Sequence, residues 1–406
     1  MRQCPDSLLR MICMKQNILN SFRVLVLITL CVTEQVFAQA GEETPVPVPV
    51  ACVRRHIETL ASDEFAGRSG ASALMAAEYV ADQFEKLKLQ PVFVEKSFLQ
   101  VIPGPVDEAG NSTTAGWNVT ARWTPAGAQF PNEYLIVAAH HDHLGSRKSG
   151  IYYGADDNAS GVAMVVEVAK SLIRSDIKLD RSVLFVSFDL EEHLLFGSRW
   201  WTAHPPVPLE DIKFVIVADM LGRSLGNLPI DSVFLCGAEH GSGVRKTVSE
   251  IPFADTVQPV LLSDDFVGLR SDYGPFRDRK IPFLFASTGQ SRDYHTMHDT
   301  ADKIDFEQVA AISTGLARLI VAIGNQQKAP EWIESPEIDP SEVKAILEIC
   351  RQIDEHAVQW ELTAIQKFFV DQTRSRAERI LSQKTITPED QRWLTRTTQM
   401  LLFTVF

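Results

Sequence analysis

Three histidines and one aspartate occupy four consecutive positions at the end of an apolar run, in "VAAHHDHLG" over residues 137–145. Imidazole nitrogens and carboxylate oxygens are common ligands of zinc in proteins. Alternate side chains of a strand share a face, so His140 would share its face with Asp142 and not with the neighbouring histidines. Because a metal-bound imidazole usually donates its second N–H to a carboxylate, this alternation favours His140 as a ligand. A solvated histidine-rich loop is the alternative that this stretch leaves open.

Further candidate residues follow three other apolar runs, at 183–188, 214–218 and 281–286, or lie in the connection "GADDNASG" at 154–161. In an open α/β sheet, ligand-binding residues collect beyond the carboxyl ends of the strands. Carboxylates and histidines at that edge suit a metal site that activates water. The candidates are Asp156 and Asp157 in the connection, Asp189, Glu191 and Glu192 after the first of these runs, Asp219 after the second, and Tyr294 and His295 after the third.

The apolar runs also indicate which elements hold these residues in place. The runs are continuous rather than alternating, as expected for strands that are covered on both faces. Helical patterns at 69–89 and 160–173 and a pair of alternating segments at 91–102 and 116–124 accompany them. This rhythm of strand, helix and strand predicts an α/β sandwich around a largely parallel sheet.

Residues 1–40 have the features of a cleaved signal peptide. Basic residues extend to Arg23, the apolar core "VLVLITLCV" follows, and "AQA" at 38–40 offers a cleavage site. This core is far shorter than the roughly 20 residues of a transmembrane helix, so no stable membrane insertion is expected after cleavage. We therefore predict an exported protein, either periplasmic or secreted. Residues 41–50, rich in proline, predict a stiff and extended linker.

The last part of the chain, 328–406, is predicted to be a helical extension. Asp339 and Thr387, each followed by a proline, are typical N-caps of helices, and a further helical pattern lies at 362–383. About three helices are therefore expected. Their expected role is packing against the main domain or contact in a homo-oligomer.

The overall charge argues against one class of partner. The chain has 52 acidic and 39 basic residues, a formal net charge of −13 at pH 7, so nucleic acid is not an expected partner. Beyond the signal peptide three cysteines remain, namely Cys52, Cys236 and Cys350. An odd number of cysteines does not indicate a disulfide framework.

Six motifs occur in order along residues 55–325, namely "AHHDHLG", "GADDNASG", "DLEEHLLFGS", "VADMLG", "SDYGPF" and "YHTMHDT". In their order and spacing they resemble those of the M28 family of zinc aminopeptidases. The resemblance implies an α/β/α sandwich with a mixed, mostly parallel central sheet over 51–327, and two zinc ions per chain. It also implies a cis peptide bond between Asp157 and Asn158.

The same resemblance implies a role for each candidate residue. Glu191 falls at the position of the general base. Asp142 falls at the carboxylate that orients His140, and Tyr294 at a hydroxyl that can stabilise the oxyanion. The implied metal ligands are His140 and Asp219 for one zinc ion, Glu192 and His295 for the other, and Asp157 as the bridge between them.

Two positions depart from the family pattern. Leu194 stands where relatives usually have glycine, and we expect it to change the turn beyond Glu192 because leucine tolerates fewer backbone angles. Tyr273 stands where relatives commonly have histidine, which affects a loop of the substrate pocket. Other polar residues near the motifs are predicted to be structural rather than metal ligands: Asp156, His143, His298 and Asp299.

Together these features predict an exported dizinc aminopeptidase that hydrolyses N-terminal residues from peptides, with zinc-activated water and Glu191 as the general base. One alternative is another amide-processing enzyme on the same scaffold, either a carboxypeptidase or a glutaminyl cyclase. Cyclases of this scaffold use a single zinc ion, so retention of all five ligand positions counts against that variant. The other alternative is a binding domain without catalysis. Such domains generally lose a ligand or the base, and none is missing here.

Overall fold

The protein is described by a computed structural model. The predicted signal peptide, 1–40, lies outside the described residues. The side chain of residue 403 is also not described. The described residues are 44–106, 110–174, 177–337, 339–383 and 385–405.

The described residues form these strands: β1 (Gln90–Pro91), β2 (Leu99–Val106), β3 (Ser112–Trp123), β4 (Phe130–His140), β5 (Ser146–Arg147), β6 (Gly150–Ile151), β7 (Arg181–Phe188), β8 (Ile212–Ala218), β9 (Ser232–Cys236), β10 (Gln258–Leu262) and β11 (Phe283–Ser287). All except β5 and β6, which pair with each other, belong to one sheet in the order β1-β3-β7-β4-β8-β11-β9-β10, with β2 also paired to β3. The central strands β7, β4, β8 and β11 are parallel. Their neighbours β3 and β9 pair in antiparallel fashion. The predicted mixed, mostly parallel sheet is therefore confirmed.

The continuous apolar runs arise because both faces of the central strands are covered. In β4, Leu135, Val137 and Ala139 pack into one core cluster. Ile136 and Ala138, on the other face of the same strand, pack into a second cluster. Neither face of β4 meets solvent, so the strand shows no alternation of apolar and polar residues.

Helices cover both faces of the sheet and complete the predicted α/β/α sandwich. The first core cluster lies under α1, α2, α3 and α8, and the second under α4 and the helices from α9 onward. The helices of the described residues are α1 (Val50–Leu60), α2 (Ala71–Lys86), α3 (Gly161–Arg174), α4 (Phe196–Ala203), α5 (Val244–Glu250), α6 (Asp264–Val267), α7 (Gly274–Arg277), α8 (Phe306–Gly324), α9 (Pro340–His356), α10 (Ala364–Leu381) and α11 (Pro388–Val405).

The predicted helical extension consists of α9, α10 and α11. The Asp339 side chain caps α9 by accepting a hydrogen bond from Ser341 N, and Thr387 Oγ1 accepts one from Asp390 N at 3.1 Å. α9 packs against β10, and α11 packs against α6. Val343 of α9 belongs to the second core cluster. The extension therefore forms part of one face of the sandwich.

Helix α8 and the described part of the predicted linker also pack into the domain. Among the described residues, α8 is the helix that is long and apolar enough to cross a membrane, but 61% of its apolar window is buried inside the protein. It packs against α1 and α3. The described part of the predicted linker meets α8, since Val48 is buried and its N–H donates to Thr314 Oγ1 at 3.0 Å.

Candidate metal centre

Three of the predicted ligands meet at the carboxyl ends of β4 and β8. His140 is the last residue of β4, and Asp219 directly follows the neighbouring parallel strand β8. Asp157 lies in the helical turn Ala155–Ser160, just before α3. His140 Nε2 lies 3.3 Å from Asp157 Oδ1 and 3.3 Å from Asp219 Oδ1, and all three side chains are buried. The parallel strands thus bring this group together from distant parts of the chain.

The second carboxylate oxygen of Asp157 faces the remaining predicted ligands. His295 Nε2 lies 3.2 Å from Asp157 Oδ2 and 3.1 Å from Glu192 Oε2. Asp157 therefore lies between His140 and His295 and presents one oxygen to each, as a carboxylate that bridges two cations must. All five predicted ligand positions converge at this edge of the sheet.

The spacing of these side chains fits zinc. Two nitrogen or oxygen ligands bound at about 2.0–2.1 Å in tetrahedral geometry are about 3.3–3.4 Å apart. The four imidazole-to-carboxylate distances lie close to that value, at 3.3, 3.3, 3.2 and 3.1 Å. Two imidazoles and three carboxylates are also a donor set suited to this ion. The residues present therefore fit a pair of zinc ions that share Asp157.

Charge couples the members of this cluster. Burial opposes ionisation of Asp157, but the imidazoles of His143, His140 and His295 hold the pKa of this carboxyl well below its usual range. Burial likewise opposes protonation of His295, yet the carboxylates of Asp157 and Glu192 raise the pKa of this imidazole to about 10. The carboxylates thus stabilise positive charge at this position. Zinc would supply that charge in place of the imidazole protons, because histidine ligands bind metals in their neutral form.

Asp142 connects the first histidine ligand to the turn that follows β7. Its Oδ1 lies 3.5 Å from His140 Nδ1 and accepts a hydrogen bond from Glu191 N at 3.0 Å. Its Oδ2 accepts a hydrogen bond from Glu192 N at 3.3 Å. The main-chain oxygen of Asp142 lies closer still to His140 Nδ1, at 3.2 Å. Asp142 thus contacts a predicted ligand through both its main chain and its carboxylate, and its carboxylate fixes the turn that presents the two glutamates.

The turn that carries Asp157 is held by a dense set of hydrogen bonds. The Asp157–Asn158 peptide bond is cis, as predicted. Asp299 accepts hydrogen bonds from Asp156 N at 2.9 Å and Asp157 N at 3.0 Å. Asn158 Nδ2 donates to Ala218 O at 2.9 Å, which ties the turn to the end of β8. Asp299 therefore helps to position Asp157, although Asp299 is not itself a predicted ligand.

Arg68 is a positioning residue that the sequence patterns did not reveal. Its guanidinium is completely buried behind the metal centre. Although burial lowers the pKa of this group to about 10, nearby carboxylates such as Asp157 and Asp299 favour its charged form. Because "AGRSG" shows only an arginine between small residues, no signal marked its contacts. The guanidinium donates five hydrogen bonds, to the main-chain carbonyls of Leu60, His141, Tyr153, Gly154 and Asp157.

His143 lies at the centre, contrary to the orientation that strand alternation predicts. Its Nδ1 lies 2.9 Å from Glu192 Oε1 and 3.6 Å from Asp157 Oδ2. The strand β4 ends at His140, so alternation does not extend to the loop beyond it. His143 is therefore a further candidate ligand of the second ion, where only a structural role was expected. His141 instead faces the core, where its Nδ1 meets Ser187 Oγ at 2.9 Å, and burial lowers its pKa to about 3.

Glu191 and Tyr294 border a pocket that opens beside the two ion sites. Within the described part of the chain, no hydrogen bond or ion pair engages the Glu191 carboxylate. Burial and the nearby carboxylates of Asp219 and Asp272 raise its pKa well above the usual range, against the effect of His140. Burial also raises the pKa of the Tyr294 hydroxyl, which is therefore protonated at neutral pH. The pocket thus contains a glutamate carboxyl without a hydrogen-bond partner among the described residues, which holds a proton more readily than an exposed glutamate, and a neutral O–H donor.

Neither of the two departures from the family pattern is a predicted ligand, and neither side chain lines the pocket beside the metal centre. Leu194 adopts a left-handed backbone with φ 61° and is 82% exposed, so it takes a conformation that favours glycine. Leu195 has a similar backbone with φ 59°. Tyr273 is completely buried, donates its hydroxyl proton to Gly268 O, and stacks on Phe283 with ring centroids 5.1 Å apart. Tyr273 is therefore a core residue.

A pair of adjoining imidazole and carboxylate clusters on an α/β/α sandwich defines a metal-dependent hydrolase. The family model "Peptidase family M28" matches residues 118–320, half of the chain, so the chain belongs to this family. A relative from Streptomyces exfoliatus, "Leupeptin-inactivating enzyme 1", is 25% identical over 323 residues, which cover 72% of this chain and 66% of that protein. The chain therefore spans just under two thirds of that relative's length.

Solved structures show the same fold. A glutaminyl cyclase from Bacteroides thetaiotaomicron matches with a TM-score of 0.55 and 17% identity, over 70% of this chain and 100% of that one. BSAP, a zinc aminopeptidase from Bacillus subtilis, matches with a TM-score of 0.50 and 16% identity, over 72% of this chain and 99% of that one. At these identities the likeness supports the architecture, and activity has to be argued from the site.

Proposed function

We propose that this protein is an exported dizinc aminopeptidase that removes N-terminal residues from peptides. The observation that carries the proposal is the position of Asp157. Its two oxygens lie 3.3 Å from His140 Nε2 and 3.2 Å from His295 Nε2, and the unengaged carboxylate of Glu191 borders the same pocket. Two adjacent cations beside a proton acceptor are the equipment for amide hydrolysis.

The residues of the site divide the chemistry between them. When bound, the two zinc ions would lower the pKa of a water molecule and polarise the scissile carbonyl. The Glu191 carboxylate would accept the proton that this water loses and then deliver it to the departing amine, a transfer typically worth ~10²–10⁴-fold in rate. The Tyr294 hydroxyl would donate a hydrogen bond to the developing oxyanion. Asp142 would keep His140 and the turn with the two glutamates in fixed positions during the reaction.

The charges around the pocket favour an aminopeptidase. Asp157, Glu191 and Asp219 border it at the metal end, and an end of the pocket that is rich in carboxyl groups suits the ammonium group of a peptide N-terminus. A carboxypeptidase is the second candidate, because Arg270 is exposed and is the one cationic side chain among the described residues that line the pocket. A guanidinium is well suited to binding an α-carboxylate.

A cyclase and a binding domain fit the site less well. All five predicted ligand positions converge, and Asp157 presents one oxygen to each histidine, so the site suits two ions rather than one. Neither a ligand nor Glu191 has been replaced, which supports an active enzyme over a binding domain.

One set of assays tests the proposal. The purified protein is stripped with a chelator, reloaded with zinc, and assayed on aminoacyl anilides, their N-acetylated forms and C-terminal peptide substrates. We expect activity on free-amine substrates only, restored at about two zinc ions per chain. Activity on N-acetylated, C-terminal substrates would replace the aminopeptidase with the carboxypeptidase.

The variant Glu191→Gln separates the base from the ligands. It should retain zinc and substrate binding while kcat falls ~10²–10⁴-fold. Its matched control is Glu210→Gln, on a surface turn away from the pocket. Zinc-loaded wild-type protein that is inert on every substrate would refute the enzyme proposal.

Export rests on the composition of residues 1–40 and has a separate test. Fractionation of the source cells should recover the protein outside the cytoplasm with Gly41 as its first residue, because "AQA" would precede the cut. Cytoplasmic protein with an intact N-terminus would refute export and leave the enzyme proposal untouched.

A further inference from the structure

A cavity of about 510 Å³ extends from the metal centre into the second face of the sandwich. Its metal end is bordered by Asp157, Glu191, Asp219 and Tyr294. Beyond these residues the lining is mostly apolar, with Arg270, Ser287 and Gln290 as further polar members. The apolar residues that come from the family-matched part of the chain and its strands are Met220, Leu225, Phe234, Cys236, Leu262, Phe266, Val267 and Phe285.

The distal wall of this cavity comes from the helical extension. Ile346 and Ile349 of α9 line the cavity, and so do Thr398, Leu401 and Leu402 of α11. Ile346 and Leu401 are almost fully buried, with 2% and 1% exposure. All of these residues lie beyond residue 320, where the match to the family model ends. The wall is thus a contribution of this chain's own C-terminal helices.

Contacts with the main domain hold the extension in place. Arg245 of α5 forms an ion pair with the buried carboxylate of Glu342 in α9, and its Nη1 donates to Glu337 O at 3.0 Å. On α11, Gln399 Nε2 donates to Asp265 O at 2.5 Å, which joins this helix to the α6 segment that also lines the cavity. The distal wall is therefore fixed relative to the metal centre.

We propose that α9 and α11 are a substrate-recognition element that sets the size of the N-terminal side chain the enzyme accepts. This proposal rests on the aminopeptidase function above. A peptide held at the metal centre by its first amide bond would direct its N-terminal side chain into this cavity. The apolar walls select a large apolar side chain, and the extension limits how long that side chain can be. A single methylene in such a pocket typically changes specificity by about 10–200-fold.

One polar group interrupts the distal wall. Thr398 is 6% exposed, lines the cavity, and has no hydrogen-bond partner for Oγ1 among the residues that the structure describes. Buried hydroxyls usually have a partner, so an unpaired one facing a cavity suits a polar atom of the ligand. We assign Thr398 as the hydrogen-bond partner of a substrate side-chain hydroxyl, which favours tyrosine over phenylalanine.

The experiment narrows the cavity from the extension side. Ile349→Trp fills space at the distal wall, and Ile349 is only partly buried, so the helix can accept the change. The matched control is Ile365→Trp on α10, at a position that is 66% exposed and does not line the cavity. We expect the ratio of kcat/KM for the phenylalanine anilide to kcat/KM for the alanine anilide to fall at least tenfold in Ile349→Trp and to keep its wild-type value in the control variant. Leu402→Ala should shift the preference the other way, towards tryptophan.

Calorimetric binding of free L-phenylalanine and L-alanine supplies a readout that needs no catalysis. Weaker binding of L-phenylalanine alone in Ile349→Trp supports the proposal even if the protein hydrolyses nothing, which would refute only the proposed function. An active enzyme whose size preference is the same in Ile349→Trp, Leu402→Ala and wild type overturns the proposal. For Thr398→Val we expect the tyrosine-to-phenylalanine ratio of kcat/KM to fall about two- to tenfold. An unchanged ratio overturns the assignment of Thr398.

Discussion

Replacement of Arg68 by methionine tests how the turns of the metal centre are held in place. Methionine keeps much of the apolar stem but removes all five hydrogen bonds of the guanidinium. The acceptors belong to three segments that meet behind the site: the end of α1, the loop after β4, and the connection that carries Asp157. The substitution therefore releases Asp157 and the loop after His140 together, without replacing a predicted ligand.

The cost can be bounded from the number of acceptors. A buried carbonyl left without its donor costs ~1–3 kcal/mol, so five would cost ~5–15 kcal/mol if nothing relaxed. Movement of the loops and entry of water reduce this, and breaking a buried charged interaction usually costs ~3–5 kcal/mol. We therefore expect Arg68→Met to lower the free energy of unfolding by ~3–5 kcal/mol. We also expect zinc affinity to fall ~10–100-fold, the usual effect of changing the groups that support metal ligands.

Urea unfolding and competition for zinc with a chelator measure the two effects. The matched control is Arg351→Met, because Arg351 lies on the surface of α9 with a side chain that is 56% exposed and paired to Glu348 at 3.7 Å. Exposed pairs contribute ~0–1 kcal/mol. Arg68→Lys keeps three donors on one nitrogen, so its stability and zinc affinity should lie between those of the wild type and Arg68→Met. This variant also allows the test if Arg68→Met does not fold. A loss no larger than that of Arg351→Met, with unchanged zinc affinity, would refute the reasoning.

Three further predictions concern other buried groups. His143→Ala should weaken binding of the second zinc ion ~10–100-fold in a zinc titration. If this ion binds the variant and the wild type with equal affinity, His143 has only a structural role. Asp142→Asn should lower kcat/KM and zinc affinity together, because the amide lacks the negative charge beside His140 Nδ1 and cannot accept both hydrogen bonds from Glu191 N and Glu192 N; a change in neither would contradict this. Burial, aided by Asp264, raises the pKa of Glu239 from 4.5 to about 8. The folded state then keeps a proton that the unfolded chain loses, so this group's contribution to stability is present below pH 4.5 and is lost as pH rises to about 8. Urea midpoints at pH 5, 6.5, 8 and 9 should therefore favour Glu239→Gln over wild type increasingly with pH, and a constant difference would contradict the sign.

Much of the architecture could be predicted from the sequence, because the burial of a strand or helix determines the pattern of apolar residues within that segment. The strand at 183–188 is continuous and apolar since both of its faces are covered, and that pattern needs no knowledge of its neighbours. The edge at which Asp219 and Glu192 emerge follows from the direction of parallel strands. The cis bond after Asp157 and the roles of the five ligands came from motif resemblance, and the structure brings those five side chains together.

The paths of loops and the contacts between distant residues produce no such pattern in the sequence. The period of a strand stops at His140, so the orientation of His143 depended on the path of the following loop. Arg68 stands in a short polar segment whose neighbours in sequence do not show the five carbonyls that surround it. The C-terminal helices have apolar stripes that predict packing, but a stripe does not identify the surface it covers.

The sequence by itself therefore determined the class of fold and the order of the motifs, since these depend on local periodicity and on residue type, while the predicted ligands came from the motif resemblance. The tertiary structure alone decided that His143 lies beside Glu192 and Asp157, that Arg68 holds the surrounding turns by five hydrogen bonds, and that Thr398 and Leu401 border the same cavity as Glu191. These facts depend on contacts between residues far apart in the chain, and a hydrogen bond or an apolar contact forms at a distance of a few ångströms whatever the separation in sequence.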